Sequence, residues 1–215
     1  MTSVDQPRSF RAVTGAADAG LPVLTLYLER KLTLGARVYR LFADDGSGSV
    51  KGEQIGFARQ KLRALREHFT LYSDDTKTSV LAEAKTRKIF EFGGTYVVTD
   101  PAGFEVGRFR KLGRASLLMS SYVLSTPTMP DVTITERNQV VAVLRRFFGL
   151  LPYLGELPIP WQFHFDGRTP DGRLVLSVNR KRTFLDRYQL TSYDPALDGR
   201  LLAVFGVFGD ALQHR

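Results

Sequence analysis

The sequence predicts a mainly β domain of at least ten short strands closed by an apolar C-terminal helix. Three observations carry that prediction: a repeated basic and aromatic unit, turn chemistry between short alternating segments, and a final run of residues that is apolar on every side. At 215 residues the chain is long enough for one sizeable core, so a single domain over residues 21–215 is expected. The first 20 residues carry Asp5, Arg8, Arg11 and Asp18 with no apolar run, and read as a disordered tail rather than a signal peptide.

The repeat sets the register of everything else. Residues 31–45 (KLTLGARVYRLFADD) and 61–75 (KLRALREHFTLYSDD) align without a gap at a spacing of 30. Lys31 and Leu32 match Lys61 and Leu62, Tyr39 and Phe42 match Phe69 and Tyr72, and Leu41, Asp44 and Asp45 match Leu71, Asp74 and Asp75. A third unit opens at Lys88 and reaches Tyr96, Val98 and Asp100; weaker echoes run from Lys111 to Tyr122-Val123-Leu124 and from Lys181 to Tyr188-Gln189-Leu190. In each unit a basic residue ends one segment, a short polar stretch reverses the chain, and an aromatic-rich segment follows. That is the grammar of a hairpin.

Local chemistry agrees. Thr95 to Thr99 is β-branched and aromatic, Asp100-Pro101-Ala102-Gly103 is a turn, and the chain resumes with Phe104, Val106 and Phe109 apolar. Trp161, Phe163 and Phe165 alternate with Gln162 and His164; Pro170-Asp171-Gly172 turns, and Leu174, Leu176 and Val178 continue the alternation. Gln60 to Phe69 has helical spacing, but its repeat partner contains Gly35 and Val38, so strand, turn, strand is expected there. Thr135 to Leu150 reads as an amphipathic helix or long loop, with Thr135 as N-cap, Glu136 in the first turn and Gly149 near the stop. For the C-terminal helix, Asp198 is the cap and Leu201 to Gly209 the apolar body. A helix apolar all round must be buried, and a tight wall of strands would account for Gly206 and Gly209.

Composition removes several function classes. There is no Cys, hence no disulfide, thiol nucleophile or Cys-based metal site. The longest uncharged stretch, Ala115 to Pro130, holds several Ser and Thr and two Pro, which does not fit a membrane-spanning helix. A nucleophile elbow, a P-loop and a His-Glu-x-x-His motif are all missing. Gly46, Gly48 and Gly52 read as a hairpin loop; His68, His164 and His214 fall in different units; Asp166, Asp171 and Asp186 read mainly as turn chemistry. No catalytic residue, metal or cofactor is expected.

Thirty Lys and Arg against 22 Asp and Glu give a net charge of +8, concentrated as +5 in residues 51–115 and +3 in 160–190. The basic residues gather at the repeat junctions: Arg59, Lys61 and Arg63; Lys85, Arg87 and Lys88; Arg108, Arg110, Lys111 and Arg114; Arg180, Lys181 and Arg182. If the repeats are hairpins, equivalent positions recur at similar heights. Some of these clusters then converge at one rim as an anion-binding collar. The alternative is a solvated edge on which basic residues discourage strand pairing.

From about Leu21 to Arg215 the chain resembles the LURP-one-related and phospholipid-scramblase-like proteins, which belong with the tubby C-terminal domain. The likeness rests on the Lys-apolar units ending in aromatic and acidic residues, the Thr-Asp-x-x-Gly hairpin at 99–103, and Leu-Asp-Gly-Arg-Leu-Leu leading into the terminal helix. It implies a closed barrel of about twelve antiparallel strands wrapped around a central C-terminal helix. It also implies a non-enzymatic role at a membrane, binding anionic phospholipid or phosphoinositide headgroups. Calcium-driven scrambling is disfavoured, because Asp44-Asp45-Gly46-Ser47-Gly48-Ser49 lacks the third-position ligand and the twelfth-position Glu of a calcium loop. The expected location is cytoplasmic and peripheral to a membrane. A protein-interaction module, carried by the 136–151 segment with Phe147 and Phe148, is the competing reading. Nucleic acid is disfavoured, because the aromatics alternate as core residues do rather than forming a stacking platform.

Overall fold

In a computed structural model, residues 7–10, 21–33, 35–46, 52–61, 68–86, 94–112, 121–137, 164–181 and 186–213 are described. Twelve strands run in order: β1 Leu24–Thr33, β2 Ala36–Ala43, β3 Gln54–Lys61, β4 His68–Tyr72, β5 Val80–Thr86, β6 Thr95–Thr99, β7 Glu105–Lys111, β8 Ser121–Thr126, β9 Met129–Glu136, β10 His164–Arg168, β11 Leu174–Lys181 and β12 Asp186–Ser192. Helix α1, Gly199–Gln213, follows. Each strand pairs antiparallel with its sequence neighbours, and β1 closes on β12 from Leu24 opposite Ser192 to Arg30 opposite Asp186. The sheet is a closed barrel with no free edge.

The repeat has a packing cause. Side chains alternate in and out along a strand, so the aromatic that recurs after each Lys takes the inward position of an even-numbered strand. Tyr39, Phe69, Tyr96, Tyr122 and Tyr188 belong to β2, β4, β6, β8 and β12. There they meet one turn of the helix: Phe208 lies 5.5 Å from Phe69 and 4.4 Å from Tyr96, and Phe205 lies 5.5 Å from Tyr122, ring centre to ring centre. Phe109 of β7 adds near-perpendicular contacts to both helix aromatics. Such edge-to-face pairs add about 0.5–1.5 kcal/mol beyond area burial. The repeated unit is thus the trace of one aromatic belt around α1.

Asp198 caps the helix as expected, accepting the Arg200 backbone N–H at 2.8 Å and pairing with the buried Arg200 guanidinium at 2.7 Å. Leu201, Leu202, Val204 and Val207 are fully buried, as a helix apolar on every face requires. Gly206 fits the tight-wall expectation: a Cβ there would sit 2.7 Å from Leu190. Gly209 does not, since a Cβ there would meet nothing within 4 Å. The two glycines therefore separate. Gly209→Ala is expected to stabilise by about 1 kcal/mol through helix propensity. Gly206→Ala gains the same propensity but must displace Leu190 at about 1–3 kcal/mol. Denaturant unfolding of the two variants should place Gly206→Ala below Gly209→Ala.

The turns are as expected. Gly103 and Gly172 adopt left-handed φ values of 87° and 88°, and Asp100 accepts the Phe104 N–H at 2.8 Å. Phe104 itself is 64% exposed, because it sits in the turn before β7 and not on the core face. Two further expectations change. Thr135 and Glu136 end strand β9 and do not start a helix: Val132, Thr133, Ile134 and Thr135 form a β-branched run paired with both β8 and β10. The rest of that predicted segment, residues 138–150, lies outside the described residues, as do Trp161 and Phe163. At the other end, Arg8–Phe10 form a 3-10 turn, and Phe10 is buried against Gly199. This part of the presumed tail belongs to the domain, because the aromatic ring stops the end of the barrel where the helix begins.

Candidate functional site

The connections from odd- to even-numbered strands all emerge at one rim, beside the C-terminal end of α1; those from even to odd emerge at the other. Charge is biased along this division, with Glu136 and Asp186 at the first rim and Lys77 and Arg173 in the loops of the second as exceptions. Lys31, Arg59, Lys61, Lys85, Arg110, Lys111, Arg180 and Lys181 lie at or near the first rim. Asp44, Asp45, Asp74, Asp75, Asp100, Asp171, Asp194 and Asp198 lie in the loops of the second. Cations near the helix C-terminus are also favoured by its dipole.

The predicted clusters share a height but not a position. Arg59 and Lys61 end β3, Arg108, Arg110 and Lys111 end β7, and Arg180 and Lys181 end β11. Each of these strands is four places from the next around the barrel. At about 4.8 Å per strand, that is roughly 20 Å along the wall, more than one headgroup spans. The clusters form a ring. Arg63, Arg114 and Arg182, with Arg87 and Lys88, lie outside the described residues.

Alternation also divides each cluster between two faces. Arg59, Arg108 and Arg110 point outward and are exposed. Lys111 follows the inward Phe109, and Arg180 the inward Val178, by two residues, so both face the barrel mouth with Arg30 and Arg37. Arg108 is paired with Glu105 at 2.8 Å, and Lys85 with Glu83 at 2.8 Å; the hydrogen bond from Lys85, with His68 nearby, holds the Glu83 carboxyl below the usual range. Among the described residues Lys31, Arg59 and Arg110 are exposed cations with no ion pair. Lys31 opens the first repeat unit, where it has a single basic neighbour, Arg30.

Beneath the mouth lies a network the sequence did not announce. Asp210, in the last turn of α1, is buried, accepts hydrogen bonds from the Tyr39 hydroxyl at 2.9 Å and from the Tyr188 hydroxyl, and pairs with Arg30 at 3.1 Å. A carboxylate at the negative end of a helix dipole is unfavourable by itself. Three donors offset that. Burial first, and the neighbouring Asp210 carboxylate second, push both tyrosine hydroxyls well above the ordinary range.

The other residues singled out are dispersed. His68 is on the outer wall, and His164 pairs through Nδ1 with Asn179 at 2.8 Å. Asp166 is held by Arg137 at 3.0 Å, Asp171 sits in the turn of the opposite rim with its carboxyl lowered by the Thr169 hydroxyl, and Asp186 begins β12. Asp166 and Asp171 form no carboxylate pair. The Asp44 loop is an ordinary turn, with Asp44 accepting the Gly46 N–H at 3.0 Å. Among the described residues no helix is long and apolar enough to cross a membrane. No protein-family model matches the chain, and no curated protein matches its sequence.

Proposed function

We infer that this barrel is a non-enzymatic domain that presents its basic rim to anionic phospholipid or phosphoinositide headgroups at a membrane surface. The observation that supports it is a bias of charge: basic residues outnumber acidic ones at the strand ends of one mouth, and acidic residues outnumber basic ones in the loops of the other. A field of that shape orients the molecule, basic rim first, toward an anionic plane. The spacing of the clusters favours a surface over a single headgroup, because β3, β7 and β11 offer charge on three sides at one height. The likeness to LURP-one-related and scramblase-like proteins points the same way.

Each basic residue near an anionic leaflet contributes about 1 kcal/mol. Lys31→Glu with Arg110→Glu should therefore weaken binding to vesicles containing anionic lipid by at least about 30-fold, which is about 2 kcal/mol. Binding of the unaltered protein should fall as salt rises and be absent with neutral vesicles. Co-sedimentation reads both. Binding that is indifferent to salt and to the double substitution sinks this function.

A further inference from the structure

A second place on the molecule has the form of a ligand site, on the outer wall next to the basic rim, with which it shares Arg59. The end of β1, strands β2 and β3 and the 73–79 turn line an open groove of about 540 Å³, bounded by Thr33, Val38, Arg40, Phe57, Arg59, Asp75 and Lys77. That volume is in the range of small-molecule sites. Its floor is apolar: Val38 and Phe57 point outward, yet are only 9% and 5% exposed. Arg40 and Lys77 stand over the Phe57 ring at 5.9 and 5.8 Å.

The charges around this floor are not equivalent. Asp75 accepts from Arg40 at 2.6 Å and from Gln54 at 2.8 Å, so one cation is already neutralised and the turn is tied to the wall. Arg59 and Lys77 have no ion pair among the described residues. Two free cations therefore flank an aromatic floor. Lys77 is also the only non-glycine residue with positive φ among the described residues, at 61°. A lysine in that conformation is strained, and strain kept where glycine would relieve it points to a use for the side chain.

We propose that this groove binds a phosphate monoester carried on a flat apolar body, with the phosphate between Arg59 and Lys77 and the apolar part on Phe57 and Val38. Two unpaired cations match a dianion. The apolar floor distinguishes such a ligand from inorganic phosphate.

The test uses phenyl phosphate, inorganic phosphate and phenol as probes in titrations followed by NMR of the full chain. Phenyl phosphate should bind at least ten-fold more tightly than either part alone. Lys77→Met, which keeps the side-chain length and removes the charge, should weaken phenyl phosphate five- to ten-fold with the thermal midpoint unchanged, and Arg59→Met should do the same. A short-chain phosphatidate that displaces phenyl phosphate at lower concentration assigns the ligand to a lipid headgroup; displacement only at higher concentration assigns it to a soluble phosphate ester. Phenyl phosphate binding no tighter than inorganic phosphate, or unchanged in the Lys77→Met, Arg59→Met double variant, overturns the proposal. Lys31→Glu with Arg110→Glu should leave phenyl phosphate binding intact, so failure of the rim reading and failure of this one are separable.

Discussion

A chain ending at residue 200 should not fold. Leu201, Leu202, Val204, Phe205, Val207 and Phe208 are all 0–2% exposed. At about 1.5–3 kcal/mol for each fully buried side chain, they contribute roughly 9–18 kcal/mol, comparable to the 5–15 kcal/mol net stability of a typical domain. Removing the helix would also leave Tyr39 and Tyr188 without their shared acceptor and open the barrel interior to water. The expected result is a species without a cooperative thermal transition, recovered in the insoluble fraction or binding hydrophobic dyes. A soluble truncated chain with a sharp transition would show that the strands close without the helix.

The second large effect is expected from one carboxylate. Asp210→Ala leaves two buried hydroxyls without an acceptor and Arg30, whose side chain is only 13% exposed, without its carboxylate. Breaking a buried pair from one side costs about 3–5 kcal/mol. Tyr39→Phe and Tyr188→Phe each remove one donor and should cost about 1 kcal/mol. Chemical denaturation gives the ordering. Equal effects for Asp210→Ala and Tyr39→Phe would mean that water replaces the carboxylate at little cost.

The same network predicts a pH dependence with a definite sign. Both tyrosine hydroxyls have folded-state values above the ordinary 10.0 of an exposed tyrosine. A group whose value is raised by folding contributes stability in full below its unfolded value and loses it as pH rises. Stability should therefore hold up to about pH 10 and fall above it, by up to about 1.4 kcal/mol per pH unit for each tyrosine. Tyr39→Phe and Tyr188→Phe should each flatten that alkaline limb.

Much of the candidate site was legible because hairpin repeats constrain height. A basic residue at the same place in each unit must fall at the same end of each odd-numbered strand, and Lys61, Lys111 and Lys181 do so. Which of them face the mouth and which the solvent was not legible. Period-two alternation gives parity only, and inward parity is assigned when the sheet closes and a core forms on one side. Lys111 was thus grouped with Arg110, which lies on the opposite face.

Sequence alone determined what depends on neighbours along the chain: the hairpins and their turns, the aromatic belt as a repeated residue, the Asp198 cap, the all-round apolar helix and the excess of positive charge. Tertiary structure decided what depends on residues far apart. Asp210 meets Arg30, Tyr39 and Tyr188 across separations of 180, 171 and 22 residues. The Phe57 groove joins three strands to a turn, and Phe10 stops the barrel beside Gly199. Thr135-Glu136 shows the limit most directly: the pair satisfies the local pattern of a helix start, but hydrogen-bonding ladders on both sides, made with residues 121–124 and 165–168, hold it in a strand. Local propensity is worth tenths of a kcal/mol per residue, and closing a barrel outweighs it.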